Sequence, residues 1–134
     1  MNGVALADAA EARLTSLIPS RTVYVRAVPD GPLPDQYLIV WASEGSEEST
    51  RSPGSPTVQT PALWVTSVSR NPSPLVAARE AAWAAGKVRA ALRGWRPESA
   101  WLVRAEVSSP PRRDESIAAT TFAATEQFSL RSSL

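Results

Sequence analysis

The stretch Asn71-Pro-Ser-Pro-Leu-Val-Ala-Ala-Arg-Glu-Ala-Ala-Trp-Ala-Ala-Gly-Lys-Val-Arg-Ala-Ala-Leu-Arg-Gly94 sets the architecture around it. A polar cap candidate is followed by proline, which suits a first helical position where the amide has no partner in any case. Leu75, Ala78, Ala82, Ala85, Val88 (or Arg89) and Leu92 then recur at helical spacing. The pattern predicts a helix over about Pro74 to Arg93 with that stripe turned to the core. Lys87, Arg89 and Arg93 sit in its last turns, where cations suit the helix dipole, and Gly94 is a natural C-cap. Gly86 costs about 1 kcal/mol against alanine in a helix interior, so it reads as a point of close backbone approach to a sheet. Trp83 lies off the stripe and is a candidate contact with a partner subunit.

Toward the N-terminus, Ala62-Leu-Trp-Val-Thr-Ser-Val-Ser69 alternates as a strand, with Thr57-Val-Gln59 extended before it. Pro61 between them indicates an edge position or a bulge. The fourteen residues Ser43 to Pro56 are polar and aperiodic, with Glu44, Glu47, Glu48 and Arg51 ahead of Ser-Pro-Gly-Ser-Pro. They read as a long loop, of the kind that is functional or disordered. Gln36-Tyr-Leu-Ile-Val-Trp-Ala42 is nearly continuous and apolar, the pattern of a strand buried on both faces. Thr22 to Val28 is a further strand, and a short turn-rich connection through Pro29–Pro34 predicts that the two pair as an antiparallel hairpin. Val4, Leu6, Ala10, Leu14, Leu17 and Ile18 mark a first helix from about Asn2 to Ile18, closed by Pro19.

Toward the C-terminus, Trp101 to Val107 is a strand and Ser108 to Glu115 a charged, proline-bearing loop. Ile117–Ala123 and Thr125–Leu130 read as extended structure. The order predicts an α+β fold: an antiparallel or mixed sheet of four to six strands, with two main helices packed on one face. No repeat or linker interrupts residues 1–134, which read as a single domain with loops at about 43–56 and 108–115.

Composition narrows the chemistry. The chain has no histidine and no cysteine, which removes the imidazole base, the thiolate nucleophile and the usual soft metal ligands. Hard-cation sites and carboxylate chemistry remain open to its 13 acidic residues. Residues 1–67 carry four basic and seven acidic groups, and residues 68–134 ten and six, so a net charge of +1 conceals a −3/+4 split. Halves so charged can attract identical copies head to tail. No stretch approaches the roughly 18 apolar residues of a membrane span, and Met1–Leu14 lacks a signal-peptide layout. A soluble protein made in a cytoplasm, with no cofactor, no metal and no membrane partner, is the expectation.

The carboxylate pairs Glu47-Glu48 and Asp114-Glu115 fall in the most polar segments, whereas acid–base catalysis needs a shielded pocket that shifts their pKa values. They read as solvated charge, and no catalytic residue is assigned. Trp41 and Trp64 lack the interleaved arginines of a nucleic-acid groove and read as core packing. The candidates for partner contact are Glu47, Glu48, Arg51, Trp83, Arg112 and Arg113.

Several features in order carry a resemblance: a short N-terminal helix, a strand with Val23-Tyr-Val25, and a Pro-Asp-Gly-Pro-x-Pro turn. A long polar loop, Thr57-Val-Gln59, and Leu63-Trp-Val-Thr-Ser-Val-Ser-Arg70 follow, then Ala77-Ala-Arg-Glu-Ala-Ala-Trp83, Val88-Arg-Ala-Ala-Leu-Arg-Gly94 and Glu126-Gln-Phe-Ser-Leu130. The chain resembles the tail terminator (tail-completion, head–tail joining) proteins of long-tailed bacteriophages over nearly its whole length. The resemblance implies a non-enzymatic virion subunit of the tail or neck, assembled in the host cytoplasm into a hexameric ring. That ring would cap the major tail-tube protein, stop tube polymerisation and meet the head-completion or stopper protein. DNA would pass through it without specific binding. Sheet edges and the second helix would build the ring contact, while the 43–56 and 108–115 loops would reach the tube or connector. Two alternatives stand beside this: another neck component (stopper or adaptor), and a small ligand-binding or enzymatic α+β domain.

Overall fold

The elements run in the order α1 (Gly3–Leu17), β1 (Thr22–Val25), β2 (Gln36–Glu48), β3 (Val58–Arg70), α2 (Pro74–Leu92), β4 (Trp101–Ser108), β5 (Arg112–Arg113) and β6 (Thr121–Ser132). The computed structural model describes residues 1–48, 58–98, 101–117 and 119–132. Six strands form one open, mixed sheet in the order β1-β2-β3-β6-β4, with β5 pairing β6. Both helices lie on one face. Leu6, Ala10 and Leu14 of α1 and Ala84, Val88 and Leu92 of α2 join Leu38, Val40, Leu63, Val65, Val103, Phe128 and Leu130 of the sheet in a single buried cluster. Each such large side chain taken fully out of water contributes roughly 1.5–3 kcal/mol.

The helix ends follow local chemistry. Asn2 caps α1, its Oδ1 accepting from the Ala5 amide at 2.8 Å. Ser73 caps α2, accepting from the Val76 amide, with Pro74 in the first turn. Asn71 stands one step earlier and braces that cap by accepting from the Ser73 amide at 2.9 Å. Beyond α2, Gly94 takes a φ of +76°, the left-handed geometry that a chain leaving a helix needs.

The pairing of β1 with β2 is parallel, not the antiparallel hairpin the short connection suggests. Strand β1 ends at Val25 rather than Val28. There Arg26 adopts φ +68° and the Ala27 amide donates to the Val25 carbonyl at 2.8 Å, a γ-turn that swings the chain out of the sheet. The ten residues 26–35 then run back to the start of β1, well within their extended reach. Loop length admits both topologies; the reversal at Arg26 selects one.

Strand β2 is not buried on both faces. Leu38 and Val40 are fully buried under the helices, while Tyr37, Ile39 and Trp41 are half-buried on the opposite side. Trp41 pairs with Trp64 across β2 and β3 on that second face, so neither belongs to the core beneath the helices. Bulky side chains shelter one another there without a covering layer among the described residues.

The 43–56 segment also departs from the loop reading. Residues 43–48 continue β2 and pair with β3 as far as Glu48 opposite Val58, with the register shifting between Ser43 and Ser46 opposite Pro61. Backbone pairing needs no apolar periodicity, which is why polarity concealed this extension. The bulge that Pro61 predicts is present, on the facing strand. The remainder of that segment lies outside the described residues.

The stripe assigned to α2 is rotated. Ala77, Ala81, Ala84, Ala85, Val88, Ala91 and Leu92 are buried, whereas Ala82 is exposed and Leu75 is 67% exposed. Alanines stand side by side at 77–78, 81–82 and 84–85, so alternative faces are equally apolar. Gly86 is exposed, and a Cβ there would meet nothing within 4 Å, so the close approach to the sheet is not what it provides. On α1, Val4 and Leu17 are likewise exposed although they carry the helical spacing.

Candidate functional site

Trp83 emerges from the solvent side of α2 at 46% exposure. Its ring is braced rather than free: the Arg21 guanidinium lies 5.0 Å and the Lys87 ammonium 5.6 Å from its centroid. Arg21 is itself nearly buried and ion-paired with Glu80 at 3.1 Å, joining the start of β1 to α2. Arg79 makes no hydrogen bond or ion pair with any described residue, and with Arg21, Glu80 and Trp83 it lines an open depression of about 290 Å³. The place is therefore a fixed aromatic ring set in net positive charge.

Glu47 and Glu48 sit on the extension of β2 beyond Ser43. Pairing of β1 with β2 ends at Val40 and pairing of β6 with β3 ends at Ala62, so among the described strands only β3 pairs with this extension, whose root is tied to α1 by the Gly3 amide donating to Glu44. It is a two-stranded arm projecting from the sheet. Arg51 lies outside the described residues. Arg112 and Arg113, expected in a loop, form β5 against Ala123 and Phe122 near the start of β6, at the end of the sheet opposite the arm. Both are exposed. Beside them Asp114 is held below the usual carboxylate range by hydrogen bonds from the Ser116 hydroxyl and amide. The partner-contact candidates thus fall in three places, the arm, the face of α2 and the β5 corner, and do not converge on one site.

One cluster has no signal in the sequence. Glu126 is 2% exposed on the helix side of β6, where an alternating apolar residue is the expectation. Arg89 donates to it twice, Nε to Oε2 at 3.2 Å and Nη2 to Oε1 at 2.7 Å, and the Ser108 hydroxyl donates to Oε2 at 2.6 Å. The carboxylate in turn raises the Arg89 pKa, by hydrogen bonding first and charge second. Val88 and Arg89, interchangeable in the sequence pattern, are thereby sorted: Val88 enters the core and Arg89 neutralises Glu126 at its edge.

Chemically this cluster is a tie between α2, β4 and β6. Three of the roughly four acceptor positions of the Glu126 carboxylate are taken by Arg89 and Ser108, which fixes its orientation. On the open face the Thr66 and Thr125 hydroxyls bond each other at 2.8 Å, and burial with Tyr24 nearby raises the Tyr37 pKa. At its margin a hydrogen bond with the Ser129 hydroxyl, ahead of the charges of Arg104 and Arg131, lowers the Glu106 pKa. Among the described residues no group of three or more acidic side chains is placed to hold a metal ion. No described helix is long and apolar enough to cross a membrane.

No protein-family model matches the chain, and no curated protein matches it. Solved structures do. A chain from the virion of a native gene transfer agent (GTA) particle superposes with a TM-score of 0.62 at 19% identity, covering 97% of this chain and 94% of that one. A second solved chain matches with a TM-score of 0.57 at 14% identity, covering 96% and 92%. At such identities the likeness is one of fold, and it extends over nearly the entire length of each chain.

Proposed function

We propose that this chain is a structural protein of a phage-like virion, acting in the tail or neck as a ring that ends the tail tube and joins it to the head connector. The fold shared end to end with a chain from a virion particle supports the virion reading. The order of motifs that resembles tail terminators supports the finer role. The side chains agree with assembly rather than turnover: the buried carboxylate is held by Arg89 and Ser108, while the Trp83 ring and the exposed Arg79, which has no ion-pair partner among the described residues, are presented outward.

A closed ring needs a heterologous interface, one patch meeting a different patch on the next copy at a fixed rotation. The outward face of α2 and the sheet edges are the surfaces offered for it. The major tail-tube protein would lie on one side of the ring and the head-completion or stopper protein on the other, with DNA passing through the lumen unread. In this reading the chain has no catalytic residue and binds no cofactor, and residues 1–134 act as one domain.

The test is to mix the purified chain with its cognate tail-tube protein and follow mass and tube ends by sedimentation and electron microscopy. Six-fold rings seated on tube ends, and tubes that no longer elongate, are the expected result. A chain that stays monomeric with the tube protein present overturns the terminator role.

A further inference from the structure

We infer that the basic, Trp83-bearing face of α2 is the seat for the β2–β3 arm of a second copy of this chain. The inference rests on the ring reading above and specifies its contact. The face has an unusual construction. Trp83 is exposed yet fixed from beneath by Arg21, whose charge is already answered by Glu80. Arg79 has no partner among the described residues, and Lys87 has only the Trp83 ring. Two cations with no counter-charge among the described residues therefore flank a braced aromatic ring, a residue type that anchors interfaces. Gly86, exposed and open above its Cα, lets another backbone approach between Trp83 and Ala90.

The arm supplies the complement. It carries Glu47 and Glu48 on β2 where pairing with β1 has ended and only β3 still pairs, and no basic residue lies between Ser43 and Thr50. A lone two-stranded ribbon is marginal in water and gains stability from a packing partner. Its own Trp83 face is not that partner. The arm leaves the sheet at the Ser43/Ala62 end, whereas Arg21 ties Trp83 toward the end where β1 begins. Two acids at one end of a copy and two cations on the helical face of the next make a heterologous contact, the type from which rings close.

Lys87 is the only lysine in the chain, which makes the test specific. Carbodiimide joins carboxylates to amines in direct contact, so apart from the N-terminus every bridge must run through Lys87. Equal amounts of isotopically light and heavy full-length chain are cross-linked at millimolar concentration and mapped by mass spectrometry. Mixed light–heavy bridges from Lys87 to Glu47 or Glu48 are expected. Bridges only to other carboxylates, or multimers with no Lys87 bridge to the arm, overturn this contact while leaving the ring reading in place.

Charge reversal provides the second measurement. Arg79→Glu with Lys87→Glu, or Glu47→Lys with Glu48→Lys, should each lower the association constant in sedimentation by at least about tenfold, and mixing the two variants should restore it. Variants that self-associate as the parent does overturn the inference. So does preferential binding of the basic face to the tail-tube protein. Absence of any assembly, with tube protein present, overturns the ring reading itself.

Discussion

Gly3 and Ser43 meet so closely that a Cβ on Gly3 would lie 2.8 Å from the Ser43 carbonyl oxygen. The Gly3 amide also donates to Glu44 Oε2 at 3.0 Å, so the first turn of α1 is fastened to β2 where the arm leaves the sheet. Gly3→Ala drives its methyl against the Ser43 carbonyl, a backbone group that cannot swing aside as the neighbouring Glu44 side chain can. It should destabilise the fold by about 1–3 kcal/mol, the usual range for overpacking, read as a lower urea midpoint. Gly86→Ala is the control: in open space it should stabilise α2 by up to about 1 kcal/mol.

Glu126 and Arg89 form the second point of leverage. Glu126→Ala should cost about 2–4 kcal/mol, somewhat below a fully buried pair because Arg89 retains access to water. Arg89→Ala leaves the buried carboxylate with only Ser108, and near neutral pH its loss should equal or exceed that of Glu126→Ala. Chemical denaturation of both variants checks the order.

Ser67 and Ser69 lie buried on β3 with hydroxyls that find no hydrogen-bond partner among the described residues. Ser67→Ala removes the desolvation cost of that hydroxyl and should raise stability by about 1 kcal/mol. A fall in the thermal midpoint would show that the hydroxyl is satisfied in solution.

Leu92 has no exposed surface in the core between α1, α2 and the sheet. Leu92→Asp should abolish cooperative unfolding, because an unpaired charge at that depth costs several kcal/mol. Leu75→Asp, at a position with the same helical spacing but 67% exposed, should melt as the parent does. The pair of substitutions separates the observed face of α2 from the one its spacing suggests.

These positions show which features the sequence carries. Proline at 74, glycine at 94 and the alternation of 62–69 act through sterics and hydrogen bonds spanning a few residues, so the extents of both helices and the strand over 62–69, and with them the α+β class, are legible. The absence of histidine and cysteine restricts the chemistry in the same direct way. Trp83 is legible as an outlier from its stripe, but its bracing by Arg21 across 62 positions is not.

What the tertiary structure alone decided is facing and partnership. Alanines at 77–78, 81–82 and 84–85 make two faces of α2 equally apolar, and only packing against β3 and β6 chooses between them. The reversal at Arg26 turns β1 parallel to β2, and the helices take one side of the sheet, leaving Trp41 and Trp64 on the other. Glu126 can be buried only because Arg89 and Ser108 arrive from distant segments to satisfy it. Local stereochemistry determines what each segment becomes; burial and charge compensation are shared between segments, so they exist only once the segments have met.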